Sequence, residues 1–366
     1  MFVQPQQRLH GLDYLRGLAA VGIMAYHYST WAFGAQEANS FLSRVGIYGV
    51  AIFYVLSGQA LTYVYASTLS LEVSSLYNFY KKIFFRIFPL FWLATFLSII
   101  LSKHYPNPLD LALNLTGLFG LVKWDRYFAT GAWSIGNELS FYLVFPLLVF
   151  LLNKYRTGLI FAILFSVSAF VYFSFHRIEA HIPLASQWNS YTNPANQFVF
   201  FLGGALIGRF INPGAIKVSQ SLIMGTIGLA IFILIPISSN TTELVTGLNR
   251  LIFTVCCLLI CCSFFRKTRV MSILDKPLAL LGQASYSIYL FHPVANGGRT
   301  AGRTSGNQLN RHFFLKRKGF RFERRPFLFP FYLAVFALGR GCKSLLNCLL
   351  NTWLAARCRW LPSVVA

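Results

Sequence analysis

Long apolar runs alternate along this chain with short polar breaks, most of them basic. The runs cover 12–33, 45–66, 85–102, 133–152, 158–175, 197–210, 220–237, 247–265 and 279–294. Segments of this length and polarity read as helices that cross a bilayer, because hydrocarbon leaves the backbone no partner but itself. The pattern predicts an all-α fold, a polytopic transmembrane helical bundle of about 9–11 spans. One side of the bundle collects the cations: Lys81, Lys82 and Arg86, then Lys154 and Arg156, then Arg209 and Lys217, then Arg266, Lys267 and Arg269. The connections 34–44, 176–196 and 238–246 are weakly charged. By the positive-inside rule the N-terminus is cytoplasmic. The alternation requires that 108–122 does not cross. That stretch is short, holds Asp110, Asn114 and two glycines, and reads as re-entrant or interfacial.

Composition agrees with the pattern. The chain has 366 residues, 56% hydrophobic and 11% charged, with a mean hydropathy of +0.56, which excludes an ordinary soluble domain. The first run carries Asp13 and Arg16 near its start, so it reads as a retained helix rather than a cleaved leader. Two regions follow: a membrane domain over 1–294 and a basic segment over 295–366. The second holds 13 Lys or Arg against one acid, Glu323, and nine of those cations fall in 299–325. The topology places that cluster outside, where it is disfavoured. A shift of reading frame near residue 295 would account for it, and resequencing the coding DNA tests this. The net charge of +22 is largely this segment and topogenic residues; without a binding module it does not point to nucleic acid. Cys256, Cys257, Cys261 and Cys262 crowd one apolar run and read as small core residues rather than metal ligands.

Ionisable groups within such runs are the candidates for chemistry. Arg16 and His27 lie on one run, eleven residues apart. Eleven residues return a helix to within roughly 20° of the same face, about 16 Å further along. A cation near one surface is thereby aligned with an imidazole deep in the bundle. Asp13, three residues before Arg16, can pair with it, which reads either as an interfacial anchor or as part of an anion site. His27, between two tyrosines, is a candidate general base. Ser57 and Gln59 flank Gly58 in the second run, as packing groups or as part of a site. Lys81, Lys82 and Arg86 open the third run and read either as phosphate ligands or as topogenic charges. Ser134 and Glu138 share a helix face, and a carboxylate one turn inside an apolar run needs a partner, with Arg16 and His27 as candidates. His292 closes the ninth run within a belt of tyrosines.

In order along the chain, these segments resemble the acyltransferase 3 family of integral membrane O-acyltransferases. The first run is similar to the family's L-D-x-L-R-G-x-A-A opening with its later histidine, here Arg16 and His27. Gly49 to Gly58 resembles G-V-x-x-F-F-V-L-S-G, and Arg86 to Trp92 resembles R-I-x-P-x-Y-W. Trp133 to Pro146 is similar to W-S-L-x-x-E-x-x-F-Y-L-x-F-P, and Ser285 to Pro293 to S-Y-x-x-Y-L-x-H-P. The chain departs where Ala51 replaces a common acid and Ile83 a common arginine, and the resemblance fades after Pro293. The resemblance implies a multi-pass protein of the bacterial inner membrane. It implies transfer of an acyl group, often acetyl, from cytoplasmic acyl-coenzyme A to a hydroxyl of a surface or secreted carbohydrate or glycolipid. In that reading Arg16, Lys82 and Arg86 bind the donor, and His27, Ser134 and Glu138 serve catalysis, with no metal. The oligomeric state is not legible. The competing readings are a transporter or flippase of a glycan or lipid-linked substrate, and an inactive truncated relative.

Overall fold

The computed structural model describes residues 8–102, 105–238, 240–267 and 272–295. The basic segment, with the expected frame shift, lies outside the described residues. Those residues form helices α1 (His10–Phe33), α2 (Phe41–Tyr65), α3 (Val73–Ser102), α4 (Pro108–Thr116), α5 (Phe119–Val122), α6 (Ala132–Lys154), α7 (Arg156–Tyr172), α8 (Trp188–Thr192), α9 (Pro194–Phe210), α10 (Val218–Leu234), α11 (Gly247–Ser263) and α12 (Ser272–Ala295). No strand occurs among the described residues. The helices of 17 or more residues fall on the nine apolar runs. Four of them, α2, α3, α6 and α7 with its continuation to Arg177, are long and apolar enough to cross a membrane by length and composition alone. The protein is an all-α helical membrane protein.

Glycines let the helices approach. α1 and α12 run in the same direction, and a Cβ on Gly17 would meet the Gly282 backbone nitrogen at 2.7 Å. α2 runs against α1, with Gly46 under the Tyr26 ring and Gly49 under Ile23. α2 and α9 approach closely at two glycines: a Cβ at Gly58 would lie 2.1 Å from the Phe201 carbonyl oxygen, and one at Gly204 2.0 Å from that of Val55. Backbone cannot yield as a flexible side chain can, so Gly58→Ala must push the two helices apart. It is expected to cost about 1–3 kcal/mol, as overpacking does, and to lower the thermal midpoint of the purified protein. An unchanged midpoint would show that this approach does not stabilise the bundle.

Arg44 joins α2 to α10. Its guanidinium is fully buried and donates to the carbonyls of Phe232 (2.7 Å), Ile233 (2.8 Å) and Ile235 (2.6 Å), and to Asn39 Oδ1 (2.9 Å). These carbonyls end α10, where the helix has no donors of its own and the dipole favours a cation.

Two expectations change. α3 begins at Val73, not near 85. Its first turns are amphipathic, with Phe79 and Ile83 buried and Lys81 and Lys82 exposed, so an apolar-run reading starts too late. Arg86 therefore lies about 20 Å along α3 rather than at its start. Asp13 does not bond Arg16; it accepts from Arg8 Nε at 2.7 Å, because a helical side chain leans towards the helix N-terminus. The 108–122 stretch forms the short helices α4 and α5, wedged between α3 and α6. Trp92 Nε1 donates to the Leu115 carbonyl at 2.8 Å, and a Cβ on Gly120 would lie 2.1 Å from the Gly136 carbonyl oxygen.

Candidate functional site

Two polar groups of side chains sit inside the bundle. The first gathers α1, α2, α3 and α6. Glu138, six residues into α6, accepts through Oε1 from Ser57 Oγ at 2.5 Å and from the Tyr142 hydroxyl. Arg86 Nη2 donates to that hydroxyl at 2.8 Å, and its guanidinium lies 5.4 Å from the Tyr142 ring centroid. Tyr142 thus relays between cation and carboxylate, accepting from one and donating to the other. Arg16 Nη2 donates to the Leu56 carbonyl at 3.2 Å and lies within electrostatic reach of Arg86, Tyr142 and Glu138. The group holds two guanidiniums and one carboxylate. Arg86, midway along α3, keeps accessible surface.

The second group lies further along α1. The His27 ring stacks on His292 of α12 at 5.1 Å between centroids and on Trp31 at 5.4 Å. The Tyr28 hydroxyl donates to the His292 carbonyl at 3.1 Å. His292 is 1% exposed. Its Nδ1 is 2.7 Å from the Tyr289 carbonyl oxygen and 3.3 Å from that of Ile288. A carbonyl only accepts, so this contact assigns the proton to Nδ1 and leaves a lone pair on Nε2. That Nε2 is buried with no hydrogen-bond partner among the described residues. The chain continues sideways: the Tyr289 ring lies 6.0 Å from His292, and its hydroxyl meets Ser134 Oγ at 2.7 Å. Ser134 Oγ and the Tyr289 hydroxyl are each 3.0 Å from the Gly131 carbonyl oxygen.

The structure therefore brings Arg16, Arg86 and Glu138 into one group. His27 belongs to another, which Ser134 reaches through Tyr289 and His292. Glu138 bonds neither Arg16 nor His27; Ser57 and Tyr142 are its direct partners. Lys82 stands apart, with Nζ 5.8 Å from the Tyr65 ring centroid. The sequence leaves Ser57 open between packing and a site, sets His292 in a belt of tyrosines, and does not single out Tyr142 or Tyr289. Tyr142 was within reach, since it stands four residues after Glu138 on the same face. His292 needs the α1–α12 contact, which the sequence signals only through the small residues Gly17 and Gly282.

Comparison with known proteins gives these groups a setting. A family profile described as an acyltransferase domain matches residues 9–338, which ends inside the basic segment. The O-acetyltransferase OatA of Staphylococcus aureus (strain NCTC 8325 / PS 47) is 27% identical over 317 residues, covering 78% of this chain and 50% of that protein. The peptidoglycan O-acetyltransferase OatA of Listeria monocytogenes is 30% identical over 163 residues, covering 38% of this chain and 24% of the relative. The acyltransferase MdmB of Streptomyces mycarofaciens is 29% identical over 173 residues, 40% of this chain and 41% of the relative. The chain spans about half the length of the Staphylococcus aureus relative. No solved structure matches. With the profile covering most of its length, the chain belongs to the acyltransferase 3 family.

Proposed function

We propose that the protein is a membrane O-acyltransferase of the bacterial inner membrane. It moves an acyl group, acetyl in the simplest case, from cytoplasmic acyl-coenzyme A to a hydroxyl of a cell-envelope carbohydrate. The observation that carries this reading is the axis on α1, with a cationic group around Arg16 at one station and a histidine pair around His27 about 16 Å further on. Arg16 and Arg86 against Glu138, with the nearby Asp13 paired to Arg8, leave one positive charge uncompensated, which suits an anionic, phosphate-bearing donor. Lys82 belongs to this reading only as a charge at the entrance, about one helical turn nearer the start of α3 than Arg86.

His27 takes the proton of the acceptor hydroxyl as that oxygen bonds to the acyl carbon. The carbon–sulfur bond breaks, and His27 returns the proton to the departing thiolate. The products are the ester and the free thiol. His292, with its proton held on Nδ1, fixes the His27 ring by stacking. Ser134 and Tyr289 position the acceptor, and Glu138 holds Arg86 in place through Tyr142. The peptidoglycan relatives make a polymeric envelope glycan the first acceptor to try.

The test uses membranes containing the full chain, radiolabelled acetyl-coenzyme A and an envelope glycan extract. Labelled glycan is expected, and Arg16→Ala should lower labelling at least about tenfold at limiting donor while the protein still inserts. Uptake into vesicles without any labelled glycan would replace the reading with transport.

A further inference from the structure

Arg250 is the second fully buried guanidinium among the described residues, and its surroundings differ from those of Arg44. It lies in the first turn of α11 and is 1% exposed. Its head makes two long contacts, Nη1 to the Val245 carbonyl and Nη2 to the Asn196 carbonyl, each at 3.3 Å. The Phe170 ring lies 4.8 Å away. Arg44, equally buried, has four acceptors between 2.6 and 2.9 Å, with only its Nε left without a partner among the described residues. Among the described residues, the titratable groups that act on Arg250 are Tyr48 and Tyr191. Both are phenols, and neither supplies a negative charge near neutral pH. A cation removed from water without a counter-charge is costly.

The shortfall coincides with a space. Arg250 borders a water-sized cavity whose other walls include Tyr48, Ala51, Tyr191 and Gln197. Gln197 is itself 2% exposed, and its Nε2 donates to the Tyr191 carbonyl at 2.6 Å. Val245 also borders the cavity, so the N-terminal turn of α11 adjoins it. Thr246 gives that helix no side-chain cap, and the positive end of its dipole adds to the guanidinium. The Tyr191 hydroxyl and the Gln197 carboxamide can donate to an anion, whereas the Tyr48 hydroxyl donates to the Leu244 carbonyl. The space holds about one water-sized occupant, the scale of a monatomic ion and smaller than phosphate or a sugar.

We propose that Arg250, Tyr191 and Gln197 form a binding site for a small monovalent anion of chloride size, a counter-ion that holds α2, α9 and α11 together. Ala51 faces the cavity from α2 and contributes only a methyl group. It is therefore the position from which the chain could supply the charge itself.

The experiment measures the thermal midpoint of the full chain in detergent at fixed ionic strength, exchanging sodium gluconate for sodium chloride or bromide. The wild type should gain about 2–6 °C with a saturable dependence on halide. Ala51→Asp should melt higher than wild type in gluconate and show no further gain in chloride. Ala51→Asn, which fills the same space without charge, should not reproduce that rise. Arg250→Gln, where it can be purified, should lose the halide dependence. Equal wild-type midpoints in gluconate and chloride would overturn the proposal, as they would show water alone in the cavity. So would a halide gain that survives in Ala51→Asp, or an asparagine that stabilises as well as the aspartate does.

Discussion

Membranes carrying His27→Phe are expected to transfer acetyl groups about 100- to 10,000-fold more slowly than wild type, with the protein inserted and its thermal midpoint little changed. The size is that of a lost general base. The choice of phenylalanine separates chemistry from packing. His27 lies in a stack of three rings, 5.1 Å from His292 and 5.4 Å from Trp31 between centroids, and alanine would leave a cavity between them. Phenylalanine keeps an aromatic ring there and removes the nitrogens, with a ring slightly larger than imidazole. His292→Phe is expected to behave differently. It removes Nδ1, which faces the Tyr289 carbonyl at 2.7 Å, and so frees the end of α12. Its rate loss should be smaller and accompanied by a lower midpoint. The acetyl-transfer rate and the midpoint, measured on the same preparations, check both statements. Full activity in a well-inserted His27→Phe protein would remove His27 from catalysis. A rate loss confined to His292→Phe would move the base to the Nε2 of that ring, which is buried without a partner.

The α1 axis was legible because a helix has a fixed pitch. Arg16 and His27 are eleven residues apart on an uninterrupted apolar run, and nothing in the tertiary structure can alter that spacing. The nine long helices were legible for the same reason, since apolar length is a local property. What failed was local reasoning applied to a mixed segment. Residues 73–84 alternate buried Phe79 and Ile83 with exposed lysines, so their helix is amphipathic and does not register as an apolar run. Arg86 was misplaced in consequence, read as the start of a helix when it stands near the middle. The partners of Glu138 were open for another reason. A carboxylate inside an apolar run demands donors, but their identity depends on which helices are neighbours. Ser57 comes from α2 and Tyr142 from Glu138's own helix, and only the second is visible in a spacing. His292 reaches His27 across the α1–α12 contact, between helices separated by most of the described chain.

Arg86→Gln is expected to raise the KM for acetyl-coenzyme A about 10- to 100-fold with a smaller effect on kcat, the signature of lost ground-state binding to the donor. The structure supplies a control that a merely structural arginine would fail. Arg86 reaches Glu138 only through the Tyr142 hydroxyl, so losing the guanidinium leaves the carboxylate facing Arg16 and two hydroxyls. Some loss of stability is expected with the single substitution. Adding Glu138→Gln to it keeps one glutamine on each side of Tyr142 and leaves Arg16 as the one charge of the three. If Arg86 binds donor phosphates, this double variant keeps the high KM and gains no stability over Arg86→Gln, because Arg16 has then lost the carboxylate of the group. Glu138→Gln alone keeps both guanidiniums. Two guanidiniums then share the group with no counter-charge, the midpoint falls, and saturating coenzyme A raises it more than it raises wild type, because its phosphates replace the missing charge. A coenzyme A-induced shift that is equal in wild type, Arg86→Gln and Glu138→Gln would place the donor elsewhere in the bundle. The group of Arg16, Arg86 and Glu138 would then be an internal clamp on four helices rather than a seat for an anion.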